Sequence, residues 1–175
     1  MKTKDENILH NRARKLAQPD IIFSDSEKER LHFAKFSIGN DSYCIETHFI
    51  KEIISVKEIT PLPGVPSLVK GIINVRGRII AVFNSYNIFQ IKNNKNITSG
   101  KVIIIGSLEH QKEFGILADT IEGTLDIALN EINPAPQNLS GLGAVYIRGI
   151  SQEGTIIIDA LPLITSNELV INQSI

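Results

Sequence analysis

The stretch Gly71-Ile72-Ile73-Asn74-Val75-Arg76-Gly77-Arg78-Ile79-Ile80-Ala81-Val82-Phe83-Asn84 sets two β-rich apolar runs on either side of Asn74-x-Arg76-Gly77. β-Branched side chains favour a pleated, half-buried surface, and Gly77 punctuates the runs. The stretch therefore reads as a tight hairpin or a strand-turn-strand. A guanidinium is thereby held on rigid backbone at the edge of an oily sheet. Arginine offers a planar fork of donors matched to carboxylates, so Arg76 points to recognition more than to bond-making chemistry.

Outward from this hairpin the chain stays β-rich. Residues 32–38 and 42–46 read as strands around the turn signal Gly39-Asn40-Asp41, with further strands at 101–107, 114–118, 120–128, 145–151 and 155–159. Residues 47–55 mix a helix-like apolar spacing with β-branched residues and stay ambiguous. Pro61, Pro63 and Pro66 make 62–67 a rigid connection that no central strand tolerates, and 92–100, rich in Asn and Lys, reads as an exposed loop. Residues 161–169 read as a short C-terminal helix. Many short strands between Gly/Pro turns point to one or two small antiparallel barrels. A weak internal echo favours two: Arg76-Gly77 before the strand ending at Asn84 resembles Arg148-Gly149 before the strand ending at Asp159.

Composition narrows the function classes. The 175 residues carry 18 Lys/Arg against 19 Asp/Glu, a formal charge of −1, which lacks the basic surplus of a nucleic-acid binder. One cysteine leaves no disulfide framework and fits a reducing compartment. The N-terminus is polar, without a secretory signal, and no apolar run reaches bilayer length, so a cytoplasmic protein with no direct membrane insertion is expected. Charge is concentrated in residues 1–30, which hold 13 of the 37 charged residues; this segment reads as a polar extension, and 31–172 as the globular body. Within the extension, Thr3 and Glu6 have capping-box spacing, and Ile8, Leu9, Ala13, Leu16 and Ala17 share a face before Pro19, which predicts a short helix.

No catalytic constellation emerges. Cys44 and His48 stand four apart, which on a helix could pair thiol and imidazole. On a strand entering a turn they do not meet, and Cys44 between Tyr43 and Ile45 reads as a small core residue. The four histidines, at 10, 32, 48 and 110, lack metal-ligand spacing, and Gly141-x-Gly143 lacks the third glycine and the βαβ setting of a dinucleotide site. Asp119, Glu122 and Asp126 read as a solvated acidic group, with Glu122 and Asp126 on one face. Phe83, Phe89 and Phe114 read as core. No cofactor, metal or catalytic residue is expected.

The motifs in order are Phe36 to Glu46, Ile50-Lys51-Glu52-Ile53, Pro63-Gly64-Val65-Pro66, Lys70-Gly71-Ile72-Ile73-Asn74-Val75-Arg76-Gly77, Gly115-Ile116-Leu117-Ala118-Asp119 and Ile157-Ile158-Asp159. In this order and spacing the body, from about His32 to Leu169, resembles the CheW family of bacterial chemotaxis adaptors. The resemblance implies an all-β fold of two intertwined five-stranded SH3-like barrels with short peripheral helices. It implies no catalysis, and two partners: chemoreceptor cytoplasmic tips, docking near the groove between the barrels, and the regulatory domain of the histidine kinase CheA, docking on barrel surfaces. Glu52 and Arg76 match the family's paired charges; Gly71, Gly77 and Gly115 match sites of close backbone approach; Ile50 and Ile53 would offer apolar contact. Asn74 and Asp119 complete the expected partner surface. Asn84 departs from the family, which usually has Asp there. A related regulatory module in another two-component or motility pathway is the alternative reading.

Overall fold

The computed structural model describes residues 29–92, 100–136 and 142–166. The helix expected within 3–17 lies outside these residues, as do most of the 92–100 loop and the end of the C-terminal helix expected to reach 169.

The chain runs β1 (Arg30–Ile38), β2 (Asp41–Glu46), a 3-10 turn (Thr47–Phe49), β3 (Ile50–Val56), β4 (Val69–Val75), β5 (Arg78–Phe83) and helix α1 (Ser85–Ile88). It continues through β6 (Gly100–Ser107), β7 (Lys112–Ala118), β8 (Thr120–Ala128), β9 (Ile132–Pro134), β10 (Ile147–Ser151), β11 (Ile156–Ile158) and α2 (Ala160–Thr165). The ambiguous 47–55 stretch resolves as a single 3-10 turn leading into a strand. Its alternation of half-buried and exposed residues is the strand period of two.

Two sheets form, in the orders β8-β1-β2-β11-β10-β9 and β3-β6-β7-β5-β4. Each curls into a small barrel, and closure uses the same device twice. In the first barrel β8 runs through the 3-10 turn Leu129–Glu131 into β9, which pairs with β10 at the far edge. In the second, β3 runs on to Thr60, which bridges Ile72 of β4 with both backbone bonds made, at 3.0 and 2.8 Å. The first sheet thus has six strands, one more than expected. Strand β9 is three residues long and ends in Pro134, which lacks a ladder donor and is tolerated at an edge.

The fold is duplicated, and the halves are interlocked. Each half of the chain begins with a hairpin (β1–β2, then β6–β7) that completes the sheet built by the other half. Register moves the internal echo from where sequence placed it. A bulge between Val69 and Gly71 in β4 corresponds to one between Ile147 and Gly149 in β10, so Lys70-Gly71, not Arg76-Gly77, is the counterpart of Arg148-Gly149. Both glycines are sterically required. A Cβ on Gly71 would lie 2.2 Å from the carbonyl oxygen of Thr60, and one on Gly149 would lie 2.3 Å from that of Asn133. Asn84 N–H donating to the Leu68 carbonyl (2.7 Å) and Asp159 N–H donating to that of Tyr146 (2.8 Å) repeat the same contact.

Three apolar clusters follow from strand alternation. Phe33, Cys44, Ile127 and Ile157 fill the first barrel. Ile73, Val75, Ile80, Val82, Val102, Ile104 and Leu117 fill the second. The opposite faces of the same strands, with Phe36, Tyr43, Ile45, Phe83, Ile103, Ile105 and Phe114, meet between the barrels, where α1 and α2 add Ile88, Leu163 and Ile164. Phe83 and Phe114 pack edge to face there, centroids 5.2 Å apart.

Candidate functional site

The hairpin β4–β5 turns on two residues, Arg76 and Gly77, with φ of +52° and +86°. Positive φ at both central positions matches the twist of flanking strands. Glycine adopts it freely, whereas Arg76 accepts a left-handed conformation costing about 1–2 kcal/mol for an L-residue. The Asn74 side-chain oxygen accepts from the Gly77 N–H at 2.9 Å and locks the turn.

The side chains at this end of the second barrel form a chain of alternating charge. Glu52 alternates with Ile54 and Val56, Arg78 with Ile80 and Val82, and Glu113 with Gly115 and Leu117; all three therefore share the inward face and cap the barrel mouth. Arg78 Nη1 donates to both oxygens of Glu113, at 2.6 and 2.5 Å. Arg78 Nη2 stands 4.0 Å from Glu52 Oε2, and Arg76 Nη2 donates to Glu52 Oε1 at 3.0 Å. The two acids are the half-buried members, and Arg76 is the exposed end, its side chain 80% exposed against 22% for Glu52. The expected Glu52–Arg76 pair is present. Arg78 and Glu113 were not anticipated, although a charged residue in phase with Ile80 and Val82 calls for an inward partner.

The remaining expected surface residues divide. Ile53 faces outward, 38% exposed, while Ile50 packs against the core between the barrels. Gly71 and Gly115 are packing positions; a Cβ on Gly115 would meet a Val102 methyl at 2.4 Å. Nothing crowds Gly77, so its requirement is φ, not close approach. Asp119 ties elements of both halves together: its Oδ2 accepts from Tyr86 Oη (2.5 Å) on α1, which follows the second barrel's β5, and from the Gly39 N–H (2.8 Å) in the β1–β2 turn of the first. Ile79, 57% exposed and opposite Asn74 in register, adds an apolar residue that the sequence reading passed over.

Elsewhere the polar groups are structural. Glu122 contacts Lys35 (3.3 Å), and Asp126 pairs with His32 (2.6 Å), so these acids serve separate neighbours. Cys44 is fully buried, and burial pushes its thiol up to about 12, partly offset by the Lys35 charge, which leaves it unreactive at neutral pH. His48 is exposed, meets the Phe49 ring in a tilted contact and pairs with Glu46 at 3.2 Å. Glu46 also accepts from Arg148 Nη1 at 2.5 Å. Among the described residues no group of three His, Cys, Asp or Glu could hold a metal ion, and no helix is long and apolar enough to cross a membrane.

Comparison with known proteins agrees with this architecture. The family model described as the CheW-like domain matches residues 32–168. The chain is 31% identical to the chemotaxis protein CheW of Treponema pallidum over 148 residues, covering 81% of this chain and 86% of that protein. It is 25% identical to the chemotaxis protein CheW of Klebsiella aerogenes, covering 82% and 87%. Among solved structures it superposes on the scaffolding protein TtCheW of Thermoanaerobacter tengcongensis with a TM-score of 0.66 at 26% identity, covering 79% of this chain and 94% of that one.

Proposed function

Because the chain belongs to the CheW-like family and is a chemotaxis scaffold protein, we propose that it joins chemoreceptor cytoplasmic tips to the regulatory domain of the histidine kinase CheA. It works in the cytoplasm, beneath membrane-bound receptor arrays, as a coupler that makes and breaks no covalent bond. Receptor tips dock at the Glu52–Arg76 surface beside the groove between the barrels; the kinase domain docks on barrel surfaces.

The observation that carries this reading is Arg76 itself. Its guanidinium is 80% exposed, anchored at one nitrogen by Glu52, and mounted on a left-handed turn locked by Asn74. An exposed ion pair contributes only about 0–1 kcal/mol to folding, so a strained turn is poorly explained by stability alone. Among the described residues one guanidinium N–H donor of Arg76 is used, which leaves four of its five for a partner's acceptors. Ile53 supplies apolar contact next to Glu52, with Ile50 supporting it from the core. Asn74 and Gly77 shape the turn, Gly71 and Gly115 hold the strands behind it, and Asp119 fixes one barrel against the other.

Bivalent binding raises the effective concentration of kinase at receptor, and the coupling is reciprocal: whatever receptor docking does to kinase affinity, kinase docking does to receptor affinity. The test is capture of receptor-tip fragments and of the CheA regulatory domain by wild-type and Arg76→Ala protein. The variant is expected to lose receptor capture while keeping kinase capture and an unchanged circular dichroism spectrum. Undiminished receptor capture would sink the role of Arg76.

A further inference from the structure

We infer that Arg78 and Glu113 are positioning residues for the receptor site, setting the orientation of Arg76 through Glu52. This rests on the docking reading above and extends it from one ion pair to a four-residue relay.

Among the described residues Arg76 is anchored by Glu52 alone, and an isolated pair this exposed holds a long side chain poorly. What matters is how firmly Glu52 is held. Its strand, β3, is separated from β5 by β6 and β7 in the sheet order, so Glu52 and Arg78 face each other across the barrel mouth and not along a ladder. Arg78 is itself fixed from β7, with one nitrogen shared between both Glu113 oxygens. The strand between β3 and β7 carries Gly106 opposite Glu113, where a Cβ would come within 2.6 Å of the Lys112 carbonyl oxygen, so no β6 side chain intrudes at that register position. Glu113, Arg78, Glu52 and Arg76 thus alternate in sign from a half-buried end to an exposed one. The side-chain exposures of Glu113, Arg78, Glu52 and Arg76 are 26, 49, 22 and 80%, so both acids are half-buried and Arg76 is the exposed end. Arg78 Nη2 stands 4.0 Å from one oxygen of Glu52, an electrostatic contact beyond hydrogen-bond distance, while the other oxygen accepts from Arg76. The relay has no net charge, so it orders the guanidinium without adding an uncompensated charge to the barrel end.

Two measurements on the full chain test this. In the free protein, the Nε–H of Arg76 is expected to show lower NMR order when Arg78→Gln or Glu113→Gln is introduced, with Arg78→Lys intermediate and melting temperature controlling for fold. Unchanged order overturns the relay, whatever becomes of the docking assignment. In binding to a receptor-tip fragment, Arg78→Gln is expected to weaken affinity about fivefold to tenfold, the range of coupling within one ion-pair network. In an Arg76→Ala background it should add nothing further. An equal loss in both backgrounds overturns the relay and leaves docking standing; no loss from Arg76→Ala removes the docking reading and the inference with it.

Discussion

In the first barrel Arg148 lies within strand β10 and pairs with the half-buried Glu46, whereas at the matching position the second barrel has Lys70 and presents its exposed guanidinium from the hairpin tip, at Arg76. The turns differ accordingly. Ser151 and Thr155 of the first barrel close a relaxed loop around Gly154, with Ser151 N–H donating to the Thr155 carbonyl at 2.9 Å. The second barrel turns on Arg76 and Gly77 alone, with positive φ at both. Helix starts differ too: the Asp159 carboxylate accepts from the Leu161 N–H at 3.2 Å, while Asn84 makes no side-chain cap bond. One scaffold therefore occurs twice, with a strand arginine tied to a neighbouring glutamate in one copy and, in the other, a more exposed arginine at the hairpin tip that we propose serves recognition.

The comparison can be broken at the bulges, where the largest effect is expected. Gly71→Ala and Gly149→Ala should each cost about 3 kcal/mol or more, because the new methyl meets backbone that cannot give way. Urea unfolding checks this. If only one of the two is costly, the bulges are not structural equivalents.

A second measurement weighs the barrels by pH. Tyr43, in the first barrel, and Tyr86, on α1 beyond the second, are both raised from 10.0 to about 12. For Tyr43 the main cause is burial, then the Asp41 charge; for Tyr86 it is burial, then the hydrogen bond to Asp119. The folded state holds these protons more tightly than the unfolded chain, so the contribution is intact below pH 10 and is lost as pH rises from 10 towards 12. Each tyrosine should remove roughly 2 kcal/mol by pH 12. Tyr43→Phe and Tyr86→Phe should each flatten that decline, seen as unfolding midpoint against pH. A decline that both variants leave unaltered would show that neither phenol carries it.

The smallest effect lies at the helix starts. Asp159→Ala should cost about 1 kcal/mol through its lost cap, and Asn84→Ala only a few tenths. Equal costs, read from thermal unfolding, would mean that Asn84 caps its helix in solution as Asp159 does. The Asp usual in the family at position 84 would then differ from Asn mainly in charge.

Most strands were legible because alternation and turn chemistry are local, and the expected 78–84 strand differs from β5 by one residue, Asn84, which stands at the N-cap position of α1. Glu52 and Arg76 could be paired through family resemblance. What stayed hidden depends on contacts distant in the chain. Arg78 and Glu113 are 35 residues apart, and Arg148 and Glu46 are 102 apart. Neither distance leaves a periodic trace. The internal echo was misplaced because Arg-Gly looks the same in a turn and at a bulge, and only cross-strand register separates them. Strand β9 was hidden by its brevity and by Pro134, which along the sequence reads as a stop.

Among the described strands the chain crosses between sheets at two places, the three-residue turn Thr47–Phe49 and the single residue Asp119. The second crossing is tied on both sides: Asp119 N–H donates to the Ser37 carbonyl at 2.9 Å, and its carboxylate holds Gly39 and Tyr86. Together with the apolar layer between the barrels, these bonds tie the crossing to both sheets. On the proposed reading, a coupler joined in this way is expected to pass a displacement at Arg76 on to the first barrel, as a strut does.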